Sequence, residues 1–559
     1  MKKKFDSSRN LEIHPDEIFL DSKNLPDFDT DQFEGRIEKP ISKKPYIFLC
    51  LIFLSIGLAY IARIGILQIR DGEAYSLQSE NNRLRHSLIF AERGVIYDRN
   101  GELLASNVED PLGRPFSARK YSSLSGLSHI LGYMKYPAKD ANGFYYDETY
   151  DGKDGVEKFY NEYLTGVNGL KIIETNATGG AESENTIEPP QSGKSLNLSV
   201  DAKLQNAFYE IIKKIVDDIG FTGGAAALMD IKTGEIIALT SFPEYSSQIL
   251  TDGSDSSAIQ DVLSDPRNPF LDRIVDGLYT PGSIVKPFIA LGALQEDVIN
   301  PETKILSTGS ISLPNIYDPT KSTVFKDWKA HGYVNMREAI SVSSDVYFYE
   351  VGGGFQNQKG LGISRIVKYM KQFGFGAKIP SKFFSGSEGV VPDPAWKKLH
   401  FDGEEWSVGD TYHTAIGQYG FQITPLQEML AVAAIANDGV MVYPTIVKGE
   451  SETPPRELPI AKQYFTVVQE GMRLSAVSGT ASALNISSVQ IAAKTGTAEL
   501  GTLKHYVNSW VTGFFPYEKP KYAFVVIMEK GPTGNPVGAS AVARQFFDWV
   551  AVHAPEYLR

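Results

Sequence analysis

The chain has 559 residues, too many for one hydrophobic core, and ordinary domain sizes divide it into roughly two to four units. Its 42% hydrophobic and 22% charged residues describe a folded protein, and a net charge of −12 argues against a nucleic-acid binder, whose phosphate contacts need a basic face. The single cysteine, Cys50, excludes a disulfide framework and a thiolate metal site.

Residues 1–44 are polar, rich in Asp and without sustained periodicity, which is the composition of a disordered tail. From Tyr46 to Ala62 no residue is charged, and apolar character resumes after Arg63 as Ile64-Gly65-Ile66-Leu67. A segment at 45–66 is long enough to cross a bilayer as a helix. Arg36, Lys39, Lys43 and Lys44 precede it, which by the positive-inside preference keeps the N-terminus cytoplasmic. No convincing small-x-small cleavage site follows the long leader, so the segment reads as an uncleaved signal anchor with the rest of the chain outside.

Beyond the anchor, Asp71 to His86 has the composition of a polar helix. Val95-Ile96-Tyr97 and Glu102 to Ala105 flank Asp98-Arg99-Asn100-Gly101, which predicts a strand, a tight turn and a second strand without chemistry of its own. Residues 106–195 hold one helix-like piece, Val156 to Leu164, and end on the turn residues Pro189 to Gly193. The main domain opens with a strand at Ser195–Val200, after which Asp201 caps a helix whose Leu204, Phe208, Ile211, Ile212 and Ile215 share one face. Gly224 to Asp230 and Glu235 to Ser241 predict a hairpin. Ile491 to Leu500, Ser509 to Phe515 and Tyr522 to Met528 predict three more strands, followed by a helix over Ala541–Val552. Strands at both ends of a helical middle imply an α+β fold, one antiparallel sheet closed by the terminal segments.

Three short motifs carry the chemistry. In Thr280-Pro281-Gly282-Ser283-Ile284-Val285-Lys286, Pro and Gly mark a turn at a helix start, so Ser283 sits near a helix N-terminus with Lys286 one turn on. A serine hydroxyl needs a base to become a nucleophile, and a buried lysine can supply one. In Ser343-Ser344-Asp345, a serine in the cleft can relay a proton and Asp345 can hold the lysine or a substrate amide; the same residues also read as a helix cap. In Lys494-Thr495-Gly496-Thr497, Gly496 leaves room for an extended peptide beside the strand, while Lys494 and Thr497 offer charge and a hydroxyl to a carboxylate. Asp327 and His331 are four apart, but without a clear third ligand they read as structural, and no metal or cofactor is expected.

Singly these motifs are common. Their order in one chain matches the signature of penicillin-binding proteins and class A β-lactamases. The chain resembles the class B penicillin-binding proteins from residue 46 onward. Arg93-Gly94 through Leu104-Ala105 resembles their pedestal motif, Asp230 to Ala238 their first hairpin, and Gly479-Thr480-Ala481 precedes the third motif as in the family. Asp327-Trp328-Lys329, Asp at 345, Trp406 with Gly409 to Tyr412, and Ile416-Gly417-Gln418 are similar to the elongation branch, the penicillin-binding protein 2 type.

The resemblance implies a penicillin-binding transpeptidase fold, with helices on both faces of a central sheet, at 196–559. It also implies a β-rich pedestal at 67–195, and the interval before residue 195, short for the elongation branch, predicts a reduced head region there. It further implies a bacterial, penicillin-sensitive D,D-transpeptidase acting in cell-wall elongation and cell shape. Lys286 would deprotonate Ser283, the N–H groups of Ser283 and Thr497 would form an oxyanion hole, and Ser343 would relay protons. Lys494, Thr495 and Thr497 would hold the terminal carboxylate of a D-Ala-D-Ala stem peptide. β-Lactams would acylate Ser283. The interval between anchor and main domain is short for a glycosyltransferase domain, so glycan polymerisation would fall to a SEDS-family polymerase in an elongation complex. A division-type class B protein and a membrane-anchored β-lactamase or penicillin sensor share the three motifs, and a noncatalytic scaffold is the remaining alternative.

Overall fold

The computed structural model describes residues 43–175, 181–314, 318, 320–451, 453–501 and 505–559. All of the tail expected at 1–44 except its last two residues lies outside them. The chain divides into two compact units, Met1–His86 with Ile172–Asn185, and Ser87–Lys171 with Thr186–Arg559.

In the first unit, helix α1 (Lys43–Gly65) runs on into a π-helical turn, Ile66–Arg70, and buries none of its side chains. With an 18-residue stretch of mean hydropathy 2.4, Lys43–Arg70 is the one described helix long and apolar enough to cross a membrane. The polar helix expected over Asp71–His86 is shorter, Gly72–Arg83, and Leu84–Ile89 forms a sheet with Gly169–Thr175 and Ala181–Glu188 instead.

The second unit opens with the expected hairpin, β1 (Ile96–Tyr97) and β2 (Leu103–Val108), extended by β3 (Ala118–Tyr121). The Asp98 carboxylate closes the turn by accepting from the N–H groups of Asn100 (2.7 Å) and Glu102 (2.8 Å). Its other oxygen accepts from Ala202 N–H at 3.2 Å, and Asn100 Nδ2 donates to Asp201 at 2.9 Å. The hairpin turn is thus bonded directly to the start of the helix that begins at Ala202. The helix expected over Val156–Leu164 is broken into Gly155–Phe159 and Asn161–Leu164. The break lets Glu157 and Leu164 both be fully buried. Glu157 binds Arg93 at 2.6 Å and Arg119 at 2.8 Å, with both arginines themselves buried. Of the strand expected at Ser195–Val200 only β4 (Leu196–Asn197) forms, parallel to β1. The chain here is bonded on both edges, with Leu198 N–H donating to Tyr97 O on the β1 side and Ser199 N–H donating to Ile446 O on the other.

Asp201 caps α2 (Ala202–Ile219), accepting from the N–H groups of Lys203 and Leu204. The expected five strands form one antiparallel sheet. Strands β5 (Gly223–Asp230) and β6 (Ile236–Phe242) are joined by a turn in which Asp230 accepts from the N–H groups of Lys232 and Thr233. Strands β7 (Ala492–Leu500), β8 (Tyr506–Phe515) and β9 (Tyr522–Pro532) complete the order β6-β5-β9-β8-β7.

Alternation along the strands separates the two faces. Ala225, Ala227 and Met229 of β5 with Val525 and Ile527 of β9 join the core that holds the helical middle. Ala226, Leu228, Phe524 and Val526 face α2 and helix Ala539–His553, whose Phe208 and Phe546 rings stack at 3.4 Å. Helices cover both faces, so the strands read as near-continuous apolar runs.

Candidate active site

Ser283 lies in a 3-10 turn, Gly282–Val285, that feeds α3 (Lys286–Gln295). Every residue of α3 from Lys286 to Leu294 is buried, so the helix is a rigid post. Gly282 has φ +61°, a left-handed conformation that glycine adopts without strain, and its N–H donates to Gly417 O at 2.9 Å. On its other side a Cβ would meet Thr497 O at 2.8 Å. The residue before the serine is therefore held between two backbone segments.

Lys286 is fully buried. Its Nζ donates to Ser343 O (2.7 Å), Ser343 Oγ (3.2 Å) and Asp345 Oδ1 (2.6 Å), so the Asp345 carboxylate balances its charge. Ser343 sits at the C-terminus of α4 (Met336–Val342) with φ +58°, an uncommon conformation for a residue with a side chain. Ser344 caps α5 (Asp345–Gly353), accepting from Tyr347 N–H at 3.3 Å. The two readings of the second motif thus hold together. Ser344 is the cap, and Ser343 meets both lysines.

Lys494, on β7, is also fully buried and donates to Ser343 Oγ at 2.9 Å and Thr495 O at 2.8 Å. Burial, reinforced by the nearby Lys286 charge, holds its amine well below the usual lysine range against the pull of Asp345 and Glu428. Thr495 and Thr497 alternate with it onto the more exposed side, and Thr495 Oγ1 donates to Thr480 Oγ1 at 2.6 Å. Gly496 serves a different purpose from the one expected. A Cβ there would meet Pro281 O at 2.8 Å and Ile284 Cγ2 at 2.9 Å, so its missing side chain admits the Ser283 turn rather than a peptide.

Two acidic residues stand behind the motifs. Asp327 accepts from Ser344 Oγ (2.9 Å), Val346 N–H (3.0 Å) and Ser307 Oγ (3.2 Å), and His331 Nε2 lies 3.4 Å from its other oxygen. Burial works to raise Asp327, but these hydrogen bonds and the Lys286 charge outweigh it and hold the carboxyl below the usual range. Asp327 thereby anchors the turn that presents Ser343 and Asp345. Glu428, on α6 (Pro425–Ala436), is fully buried, with neither carboxyl oxygen hydrogen-bonded among the described residues. No local pattern marks Glu428 beforehand, since it interrupts an otherwise apolar helix. Among the described residues no group of three His, Cys, Asp or Glu side chains gathers as metal ligands.

Residues 224–548 match the family model of the penicillin binding protein transpeptidase domain, and residues 114–198 match that of the penicillin-binding protein dimerisation domain. The chain belongs to the penicillin-binding transpeptidases. Among curated relatives of this transpeptidase, the peptidoglycan D,D-transpeptidase MrdA of Acinetobacter baumannii is 30% identical, over 91% of this chain and 89% of its own length. Among solved structures, penicillin-binding protein 2 of Helicobacter pylori in complex with MreC superposes with a TM-score of 0.69 at 28% identity, covering 84% of this chain and 99% of that one. A peptidoglycan synthase complex described as coordinating polymerization and crosslinking contains a chain with a TM-score of 0.70 at 25% identity, covering 90% and 98%. The penicillin-binding protein 2 type inferred from the motifs is the type named for the Helicobacter pylori structure, and the transpeptidase fold is the one expected.

Proposed function

We propose that this penicillin-binding transpeptidase cross-links peptidoglycan stem peptides during cell-wall elongation, with Ser283 as nucleophile. The observation that carries the reading is Ser343 Oγ, 3.2 Å from Lys286 Nζ and 2.9 Å from Lys494 Nζ, which draws three distant motifs into one site.

Acting as the free amine, Lys286 takes the proton of Ser283 as its oxygen attacks the carbonyl of the penultimate D-alanine. The carbonyl oxygen gathers negative charge against the N–H groups of Ser283 and Thr497, a kind of contact worth about 3–4 kcal/mol in comparable sites. The C–N bond then breaks, Ser343 passes a proton to the departing D-alanine amine, and a serine ester remains. An amine of a neighbouring stem peptide attacks the ester, gives up its proton through the same chain of groups, and restores Ser283. Thr495 and Thr497, on the more exposed side of β7, hold the donor's terminal carboxylate, with Lys494 behind them bonded to Ser343. As an edge strand bonded on one side to β8, β7 has its other edge available for an extended peptide.

The family matches, at 114–198 and 224–548, support a pedestal at 67–195 followed in the chain by a transpeptidase domain at 196–559. Basic residues before α1 support an N-terminus inside and the catalytic domain outside the cytoplasmic membrane. By analogy with the relatives, the partners are elongation-complex proteins, with a SEDS-family polymerase supplying the glycan. Mass spectrometry of the penicillin-treated full chain tests the reading. A stable acyl group is expected on Ser283 and on no residue of Ser283→Ala; rapid hydrolysis of the adduct would instead indicate a β-lactamase.

A further inference from the structure

The turn that grips Gly282 holds the most unusual side chain near the site. Gly417, Tyr419 and Gly420 have φ of +75°, +64° and +77°. Both glycines are required by contact. A Cβ at Gly417 would lie 2.2 Å from Gly282 O, and one at Gly420 would lie 2.3 Å from Trp396 Cη2. Tyr419 has no such reason, and a bulky residue in this conformation is a genuine outlier. Strain of this kind persists only where the surroundings over-determine it.

The ring's surroundings are aromatic, and its hydroxyl meets the Asp410–Lys397 pair. The Tyr419 ring stacks on Phe401 (centroids 5.6 Å apart) and on His413 (6.4 Å), and meets Trp396 (5.7 Å) and Trp406 (5.8 Å) edge-on. Lys397 Nζ lies 6.0 Å from the ring centroid and is itself fixed by Asp410 at 2.7 Å, and Trp406 Nε1 donates to Thr411 Oγ1 at 2.8 Å. The turn is wedged between this cluster and Gly282, whose other side touches the Thr497 backbone.

We propose that Tyr419 is a positioning residue for the oxyanion hole. Its clamped ring presses the Gly417 carbonyl onto Gly282 N–H and so sets the spacing between the Ser283 and Thr497 backbones. The inference rests on the assignment of Ser283 and Thr497 made above. A glycine at 419 would relax the turn and let that spacing drift. A displacement of about 1 Å in a catalytic site can cost roughly a hundredfold in rate.

The test is acylation of the detergent-solubilised full chain by a fluorescent penicillin, resolving the saturating rate from the half-saturating concentration. Failure of the wild type to label at Ser283 would remove the underlying assignment, separately from this inference. With the wild type labelling, Tyr419→Gly is expected to lower the saturating rate about ten- to a hundredfold at an unchanged half-saturating concentration. Tyr419→Phe, which keeps the ring, is expected to stay within about twofold. Phe401→Leu removes one stacking partner from a half-exposed position and is expected to show the same signature more weakly, which decides the matter if Tyr419→Gly does not fold. The inference is overturned if the glycine and leucine variants acylate at the wild-type saturating rate, if the loss falls on the half-saturating concentration, or if Tyr419→Phe is as impaired as Tyr419→Gly.

Discussion

Glu428 and Lys494 are buried ionisable groups whose charges the interior disfavours, and their effects on stability run in opposite directions with pH. Burial pushes Glu428 well above the ordinary glutamate value of 4.5 against the pull of Lys494. Below that value folded and unfolded chains both carry the proton and the group is neutral to stability. Above it the unfolded chain ionises and gains, so Glu428→Leu should raise the melting temperature at pH 7–8, by an equivalent of about 1–3 kcal/mol, and give little at pH 4.5. Lys494 is held below the ordinary lysine value of 10.5, so its burden is present at neutral pH and vanishes as the unfolded lysine loses its own proton. Lys494→Met should therefore be more stable than the wild type at pH 7, with the gain shrinking toward pH 10, while penicillin acylation falls about a hundredfold or more. Thermal melts across pH, paired with labelling, check both. A Lys494→Met protein that is less stable at neutral pH would show that its two hydrogen bonds outweigh its burial.

At the scale of elements, the close approach of the Ser283 turn to β7 makes Gly496 a structural hinge of the site. Gly496→Val should lower stability by about 1–3 kcal/mol through overpacking against Pro281 and Ile284 and should abolish penicillin labelling, as read by melting and fluorescence. Asp327→Ala should leave Val346 N–H unpaired and the Ser344 hydroxyl with only Ser307 to donate to, and slow labelling although Asp327 touches no lysine in the site. Much at this scale was legible beforehand. Apolar periodicity and turn chemistry located the five strands and α2, and Asp201 announced its cap, because each is determined within a short stretch of chain. What escaped was decided at long range. Glu157 is buried between two arginines beside the break at Tyr160, Ser199 pairs with Ile446 from 247 residues further along, and Gly496 is small because of Pro281. The motifs named Ser283, Lys286, Ser343 and Lys494, but no sequence pattern reports the Asp327 anchor beneath Ser344 or the ring clamped at 419.

At the scale of the whole molecule, the buried Arg93–Glu157–Arg119 group marks where the segment before the catalytic domain is most vulnerable. Glu157→Gln leaves two buried arginines facing a neutral amide and should cost about 3–5 kcal/mol, seen as an earlier unfolding step in denaturant. The catalytic sheet has a vulnerability of another kind. Its second strand, β5, leaves residue 230 with one long edge paired to β6 and the other waiting for β9, which comes from residues 522–532. Every strand that carries or supports the third motif is likewise late in the chain. A chain emerging from its synthesis therefore has the serine and its lysine long before it has a cleft, and nothing that could be acylated efficiently until β9 closes the sheet. Assembly order acts as a built-in delay, because the strands that frame the serine turn are the last of the sheet to be made.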